Sequence, residues 1–260
     1  MGKREDRIKE LLRIIERRDG GVTIKELAVI AGVSELTIRR DLQMVEEKQL
    51  IRNVRGTIFC NYEENSESSD NSYLLSIATN KHRAEKKRIG EYAAKLIQPG
   101  EFIIIDNGST TEQLAVNIPY NAEMTVLCYN MNVLNNLYKK PNINLIFCGG
   151  NFHHQTLMFE CAESLEIIRR SRASKVFVSA AGVHETLGVT ISGEYEMACK
   201  REILKAGVER ILLTDSSKFG KVEPCFFGEI TSFEKIITDT GLSKEWINFI
   251  RSKGIELVLV

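Results

Sequence analysis

Residues 22–55 read VTIKELAVIAGVSELTIRRDLQMVEEKQLIRNVR, and this stretch predicts two short amphipathic helices joined by a turn. Thr23 and Glu26 match a capping box, in which each side chain bonds to a backbone N–H of the first turn, so the first helix should begin just after Thr23. Gly32 supplies the turn, and Ser34 is placed to cap the second helix. Two helices in this arrangement are typical of a helix-turn-helix unit that reads DNA.

The second helix should have one buried and one exposed face. Its inward stripe is predicted to be Val33, Ile38, Leu42 and Val45. An exposed face with hydroxyls and paired arginines suits the major groove of DNA, where arginine can bond to guanine or phosphate. The predicted DNA-binding residues are Thr23, Ser34, Glu35, Leu36, Thr37, Arg39 and Arg40, followed by Arg52 and Arg55. The last two lie in residues 50–59, which alternate like a hairpin and would form a wing on phosphate or minor groove.

The alternative is an ordinary helical bundle with solvated charges, and the charge distribution weighs against it. Residues 1–60 contain 13 Lys plus Arg against 10 Asp plus Glu, whereas residues 61–260 contain 22 against 25. The formal net charge of +0 therefore hides a basic N-terminal part. This asymmetry favours double-stranded DNA as a partner.

Composition excludes several other classes of protein. The chain has 260 residues but no run of about eighteen apolar ones, and its N-terminus lacks the apolar core of a signal peptide, so we expect a cytoplasmic protein. Its six cysteines show no close pairing and indicate reduced thiols. His153 and His154 could join Cys148 at a metal, but adjacent residues usually point apart, so we expect no metal. The sequence lacks GxGxxG after its first strand and lacks GxxxxGK[ST], which argues against NAD and ATP, and we predict no cofactor.

A change in composition marks the domain boundary. Residues 61–72, NYEENSESSDNS, contain four acids, four serines and no aliphatic residue, which is too little apolar surface to order a segment. We therefore predict a DNA-binding domain over residues 1–60, a linker over 61–80 and a larger domain over 81–260. Length supports this division, because 260 residues suffice for a small domain and a larger one.

The larger domain is predicted to belong to the α/β class. Helical stretches separate seven apolar runs, which are FIIID, TVLCY, NLIFC, KVFVSAAG, RILLTD, KIITD and IELVLV. This alternation predicts a parallel sheet covered by helices on both faces. Ligands of such sheets bind outside the carboxyl ends of the strands, so the residues that follow each run are the informative ones.

After the apolar residues FIII of the first run come Asp106-Asn107-Gly108-Ser109-Thr110-Thr111 and then a helical segment. A helix N-terminus can bind phosphate through its free N–H groups and the helix dipole, although Ser109 or Thr110 could instead merely cap the helix. Polar residues after neighbouring strands favour a pocket for a phosphorylated polyol. The predicted ligand-binding residues are Asp106, Asn107, Gly108, Ser109, Thr110, Thr111, Asn130, Gly149, Gly150, Glu194, Lys200, Asp215 and Lys218. We assign Lys86, Lys87 and Arg88 to a solvated helix surface.

These motifs resemble those of the DeoR family of bacterial sugar-responsive repressors over nearly the whole chain. The resemblance rests on GVSELTIRRDL at residues 32–42 and on DNGSTT, CGG, GVHETLGVT and DSSKFGK in the larger domain. It implies a winged helix-turn-helix joined to a sensor domain with the fold of ribose-5-phosphate isomerase. It also implies a homo-oligomeric repressor, without enzymatic activity, that leaves its operator when a phosphosugar binds.

Within the family, CYNMNVL, FCGGNFH and SAAGVH are most similar to the deoxyribose-responsive members, which implies deoxyribose 5-phosphate as the effector. Two positions depart from the usual family pattern. Ala181 stands where most members have aspartate, and Gly56-Thr57 stands where the wing usually has two glycines. The rival hypothesis is an isomerase-type enzyme that uses Asp215, Glu194 and Lys218 as an acid–base set.

Overall fold

The computed structural model describes residues 3–16, 22–46, 51–54, 56–60 and 75–260. The chain divides into two compact units, residues 1–71 and residues 72–260. Each unit has its own hydrophobic core. Across these residues, no helix has the length and apolar character needed to cross a membrane.

The first unit combines helices with a small antiparallel sheet. Its elements are α1 (Lys3–Glu16), β1 (Val22–Thr23), α2 (Ile24–Ala31), α3 (Glu35–Glu46), β2 (Ile51–Val54) and β3 (Thr57–Cys60). The strands lie in the order β1-β3-β2. β2 and β3 form the predicted hairpin, in which the Asn53 side chain accepts the Gly56 N–H at 2.9 Å. The described elements are therefore those of a winged helix-turn-helix.

Local signals in the sequence set the helix boundaries of this unit. The Glu26 N–H donates to Thr23 Oγ1 at 3.2 Å and the Thr23 N–H donates to the Glu26 carboxylate at 2.9 Å, so the predicted capping box is confirmed. Gly32 adopts a left-handed φ of +63° and ends α2, as predicted. The apolar stripe of α3 packs inward, with Ile38 and Leu42 in the core.

The second unit contains the remaining described elements. They are α4 (Leu75–Asn80), α5 (Arg83–Lys95), β4 (Phe102–Ile105), α6 (Ser109–Asn117), β5 (Met124–Cys128), α7 (Met131–Leu137), β6 (Ile143–Phe147), β7 (Asn151–His153), β8 (Met158–Glu160), α8 (Ala162–Arg170), β9 (Ala173–Ser179), β10 (Gly182–His184), β11 (Gly188–Ile191), α9 (Met197–Ala206), β12 (Gly207–Leu213), β13 (Cys225–Gly228), β14 (Lys235–Thr238), α10 (Lys244–Ser252) and β15 (Glu256–Leu259). Short 3₁₀ turns cover Glu194–Glu196, Ser216–Lys218 and Ile230–Ser232.

A parallel sheet of seven strands organises this unit. The strand order is β15-β14-β12-β9-β4-β5-β6, and every neighbouring pair is parallel. These strands are the seven predicted apolar runs, so the predicted α/β class is confirmed. Successive side chains alternate between two cores, as a strand requires: Ile104 packs into one, and Ile103 and Ile105 pack into the other.

Two features of this unit were not predicted. One is a pair of small antiparallel sheets, β7-β8 and β10-β11-β13, attached to the parallel sheet. The other is α4, because we predicted a linker up to residue 80. Leu75 is 3% exposed and its N–H donates to the Gln155 carbonyl at 2.8 Å. The apolar residues that begin at Leu75 give this segment surface to bury, unlike the polar residues 61–72; residues 61–74 lie outside the described ones.

Candidate nucleic-acid interface and ligand pocket

The outer face of α3 carries most of the predicted DNA-binding residues. Glu35, Leu36, Arg39 and Arg40 are exposed, and Leu36 reaches 60% exposure although it is apolar. An apolar side chain that faces water beside two arginines has a use in the major groove, where thymine presents a methyl group. This face can therefore supply both charge for phosphate and contacts to base edges.

The remaining residues of this predicted set have other positions. Ser34 Oγ accepts the Thr37 N–H at 3.2 Å and lies 2.9 Å from the Thr37 hydroxyl, so both side chains belong to the α3 N-terminus. Thr23 is occupied by its capping box with Glu26. Arg52 lies on β2, and Arg55 falls outside the described residues.

A pocket lies at the carboxyl ends of three adjacent central strands, β4, β9 and β12. Its walls are Ala78, Lys86, Asn107, Ser109, Thr110, Ser179, Ala180, Ala181, Ile191, Ser192, Glu196, Lys200 and Lys218. The space among them, including its open mouth, amounts to about 440 Å³.

The N-terminus of α6 forms one wall of this pocket. Gly108 precedes the helix with a φ of +153°, and a Cβ at this position would lie 2.3 Å from Ser179 Oγ, so glycine is required there. Ser109 and Thr110 face the pocket, whereas the Thr111 hydroxyl donates back to the Gly108 carbonyl at 3.0 Å. The first N–H groups of a helix lack partners within it, so this wall offers donors to an anion.

Asp106 lies beneath the pocket and organises it. Its carboxylate is 0% exposed and accepts hydrogen bonds from the Ser179 N–H at 2.9 Å, from Lys200 Nζ and from the Tyr129 hydroxyl. Burial, followed by the nearby Asp106 charge, raises the pKa of Tyr129 well above 10.0, so the phenol stays a donor. The geometry gives Asp106 the role of positioning Lys200 and Ser179.

Glu196 is a pocket residue that the sequence analysis missed. Its carboxylate accepts the Asn107 Nδ2–H at 2.7 Å, and burial raises its pKa, opposed in part by Lys200. We had instead predicted Glu194, which is exposed and absent from the pocket walls. Both glutamates sit on one 3₁₀ turn before α9, where a shift of two residues separates the inner from the outer side. A paired carboxylate and amide can together bind sugar hydroxyls.

Lys86 also differs from the prediction, because it is not a surface residue. It is 2% exposed, lines the pocket, and its Nζ lies 3.9 Å from the Asp215 carboxylate. Burial lowers the pKa of Lys86 to about 8 and the Asp215 charge opposes that change. Its neighbours Lys87 and Arg88 are exposed, as predicted. In a run of three basic residues, the sequence does not reveal which one turns inward.

Lys218 and Asp215 come from the turn after β12, as the strand-end rule predicts. Lys218 lines the pocket, and burial lowers its pKa while the Asp215 charge raises it. Asp215 is 1% exposed and is held by the Ser217 N–H at 3.2 Å. Its second oxygen, Oδ2, has no hydrogen-bond partner in the described part of the chain.

Besides Glu194, the predicted ligand-binding residues Asn130, Gly149 and Gly150 are absent from the pocket walls. Asn130 caps α7 by accepting the Val133 N–H at 3.0 Å. Gly149 and Gly150 follow β6, which is the edge strand of the sheet. A Cβ on Gly150 would lie 2.3 Å from the Glu160 carbonyl oxygen, so this glycine allows β8 to approach. The close backbone contact that we predicted for a ligand is thus made by the chain itself.

The pocket as built is suited to an anion with hydroxyl groups. Lys86, Lys218 and the α6 N-terminus provide positive charge and N–H donors, whereas the charge of Lys200 is paired with Asp106. Asn107, Ser192 and Glu196 provide oxygen and amide partners. Ala181 and Ile191 add an apolar wall.

Both units match known protein families. A model of the DeoR C terminal sensor domain matches residues 81–240, and one of the DeoR-like helix-turn-helix domain matches residues 7–63. Among curated proteins, the chain is 30% identical to the deoxyribose operon repressor of Escherichia coli (strain K12), covering 98% of both chains. It is 28% identical to the HTH-type transcriptional regulator IolR of Bacillus subtilis (strain 168), covering 96% of this chain and 99% of that protein.

Solved structures similar to this chain include ribose 5-phosphate isomerase A from Methanocaldococcus jannaschii. The sequence identity is 16% and the TM-score is 0.40, over 54% of this chain and 55% of that one.

Proposed function

Since this chain belongs to the DeoR family of transcriptional repressors, we propose that it represses a sugar or deoxyribonucleoside catabolic operon and is released from its operator by a phosphorylated sugar. In this proposal α3 and the wing bind double-stranded DNA, and the pocket at α6 binds the effector. The chain acts as a homo-oligomer in the cytoplasm. It is a regulator and not an enzyme, since the matched relatives are named as repressors and the helix-turn-helix model covers its N-terminal part.

The observation that carries the effector class is that the α6 N-terminus and lysine side chains line one pocket. Ser109 and Thr110 open the helix, and both line the same pocket as Lys218. A phosphate would receive N–H bonds from the helix and charge-assisted bonds from the ammonium, which are about twice as strong as neutral ones. Glu196 and Asn107 would bind the hydroxyls of the sugar.

Deoxyribose 5-phosphate is the first candidate among phosphosugars. The name of the Escherichia coli relative refers to deoxyribose, and that relative aligns with nearly the whole chain. Ala181 and Ile191 offer no hydrogen-bond partner to a sugar hydroxyl. Such an apolar wall favours a sugar that has one hydroxyl fewer than ribose.

The isomerase alternative loses its predicted acid–base set. Glu194 is exposed and outside the pocket walls, so it does not meet Lys218 across the pocket. A pocket that only binds its effector needs no general base. The effector must instead bind one state of the repressor more tightly than the other.

The test is fluorescence anisotropy of the full chain on the DNA upstream of its own gene, titrated in turn with deoxyribose 5-phosphate, ribose 5-phosphate and fructose 6-phosphate. We expect release by deoxyribose 5-phosphate at concentrations where ribose 5-phosphate has little effect. Release by another phosphosugar would keep the repressor and change its effector. Absence of DNA binding, or turnover of any of the sugars, would contradict the proposal.

A further inference from the structure

Lys86 connects the pocket with α4, the first described helix after residues 61–74. Its ammonium donates to the carbonyl oxygens of Ala78, within α4, at 2.5 Å and of Lys81, the residue that follows α4, at 2.8 Å. Asp215 Oδ2 lies 3.9 Å from the same nitrogen, which is beyond hydrogen-bond distance. The same ammonium therefore holds a helix end and faces the ligand space.

The other end of α4 is also tied to a pocket element. The Leu75 N–H donates to the Gln155 carbonyl at 2.8 Å, and Gln155 lies in the turn between β7 and β8. This hairpin packs on Tyr195, whose ring stacks on His153 with centroids 3.8 Å apart and whose hydroxyl donates to Thr156 at 3.2 Å. Tyr195 shares its 3₁₀ turn with the pocket residue Glu196. Hydrogen bonds therefore connect both ends of α4 to elements that line or adjoin the pocket.

A bound phosphate would compete for Lys86. Its donors serve two neutral carbonyl oxygens, whereas a phosphate in the pocket that Lys86 lines would offer charged oxygens to the same ammonium. Charge-assisted hydrogen bonds are about twice as strong as neutral ones. The ammonium should therefore move toward the phosphate and leave the α4 carbonyls without it.

We propose that Lys86 is the coupling residue of the sensor, holding α4 in the empty protein and releasing it when a phosphate binds at α6. This inference rests on the proposed function, and it adds the route by which the pocket acts on the segment that precedes the sensor. Lys86 is then a positioning residue for α4 as well as a ligand for phosphate. Lys218 lines the pocket and would be a ligand only.

The two roles predict opposite phenotypes for two lysine variants of the full chain. Lys86→Met removes the hold on α4, so the ligand-free protein should bind its operator at least fivefold more weakly, within the usual range of allosteric coupling. Lys218→Met should lose release by deoxyribose 5-phosphate. Lys87→Met is the matched control, since Lys87 is the adjacent lysine with a 64% exposed side chain. It should behave like the parent protein.

Hydrogen exchange measures the hold on α4 without any effector. In Lys86→Met the amides of residues 75–82 should exchange about tenfold faster than in the parent, the factor that loss of two ordinary hydrogen bonds allows. Exchange as slow as in the Lys87→Met control would overturn the proposal. So would a Lys86→Met protein that keeps full operator affinity and merely fails to respond, because that is the phenotype of a simple ligand residue.

The wild-type chain gives a second measurement if Lys86→Met does not fold. Adding deoxyribose 5-phosphate should speed exchange over residues 75–82 and slow it at the start of α6, and slower exchange in both segments would overturn the proposal. Failure of the proposed function looks different. In that case no phosphosugar releases the wild-type protein from DNA, yet the ligand-free comparison of Lys86→Met with Lys87→Met still decides whether Lys86 holds α4.

Discussion

Lys200 and Asp106 form an ion pair beneath the pocket in which the two side chains are only 1% and 0% exposed. Lys200 Nζ also donates to the Ser179 carbonyl at 3.1 Å, and it lies 5.2 Å from the centre of the Phe227 ring. These bonds connect β4, β9 and α9 at the point where the pocket opens. Asp106 and Lys200 were each predicted to bind the ligand, and their geometry shows two charges that neutralise each other.

Replacing Lys200 with methionine should therefore damage stability more than a surface charge would. Removing one partner of a buried pair leaves an uncompensated charge, which costs about 3–5 kcal/mol of the free energy of unfolding. Lys205→Met on the same helix is the control, because its pair with Glu202 has a 71% exposed lysine and should contribute less than about 1 kcal/mol. Urea unfolding followed by the single tryptophan, Trp246, reports on the sensor unit. Equal losses of unfolding free energy in the two variants would show that the Lys200–Asp106 pair stabilises the protein no more than the exposed pair does.

The exposed face of α3 predicts how DNA binding depends on salt. Arg39→Ala should weaken operator binding and lower the slope of log affinity against log salt concentration by about one, if the arginine contacts one phosphate. Fluorescence anisotropy of operator binding at KCl concentrations from about 50 to about 200 mM measures this slope. Lys244→Ala removes an exposed charge from the sensor unit and should leave the slope unchanged. An unchanged slope in Arg39→Ala as well would mean that α3 does not face the phosphates through this residue.

Two pocket variants should produce a repressor that no longer responds to its effector. Lys218→Ala removes a charged donor and should weaken effector binding about 10- to 100-fold, while Thr110→Val removes a neutral one and should weaken it about 2- to 10-fold. Neither side chain belongs to the DNA-binding unit, so operator affinity should be retained. Calorimetry with deoxyribose 5-phosphate and anisotropy on DNA measure the two effects. Lys221→Ala, an exposed neighbour, is the control. Parent-like induction in both variants would place the effector elsewhere.

The sequence was sufficient for features that depend on near neighbours. Each of the seven strands is an apolar run of its own, and Thr23, Glu26 and Gly32 lie within ten residues of one another in the helix-turn-helix. A capping box or a left-handed glycine acts through the local backbone, so its effect can be read from spacing alone.

Residues whose role depends on distant partners were not predictable in this way. Lys86 turns inward because α4 and Asp215 offer it oxygen atoms, and Asp215 is more than a hundred positions away. Glu196 is chosen over Glu194 by Asn107, which precedes it by 89 positions. Hydrophobic periodicity carries no signal for such contacts, since a charged residue on a helix has the same pattern whether it is solvated or paired.

The two glycine positions at strand ends should respond differently to a methyl group. Gly108→Ala places a Cβ 2.3 Å from Ser179 Oγ and should lower the free energy of unfolding by about 1–3 kcal/mol, the usual cost of overpacking. Gly149→Ala meets nothing within 4 Å and should be tolerated, with effector affinity unchanged. Trp246 fluorescence in urea and calorimetry give the two quantities. Weak effector binding by Gly149→Ala would instead support the original prediction that Gly149 and Gly150 contact the ligand.

Effector binding should weaken at alkaline pH because of Lys86. Burial lowers the pKa of this ammonium from 10.5 to about 8, against the opposing charge of Asp215, and Lys218, Lys81 and Glu85 are the other charged groups that act on it. A phosphate with a second pKa near 6 stays doubly charged throughout this range. If the complex requires the charged lysine, binding above pH 8 must take up a proton, and affinity should fall by up to about tenfold per pH unit.

The direction of this effect follows from which state holds the proton. Below about pH 8 the free protein already carries the charge, so affinity should be nearly flat down to about pH 7. Above it, the phosphate raises the pKa of Lys86 in the complex, and the loss continues until that raised pKa is passed. Burial also lowers the pKa of Lys218, so part of the slope belongs to that residue. Calorimetry from about pH 7 to about pH 9.5 on the parent and on Lys86→Gln separates the two contributions. The variant should bind more weakly at neutral pH and lose less affinity per pH unit, and identical slopes would mean that Lys86 does not meet the phosphate as a cation.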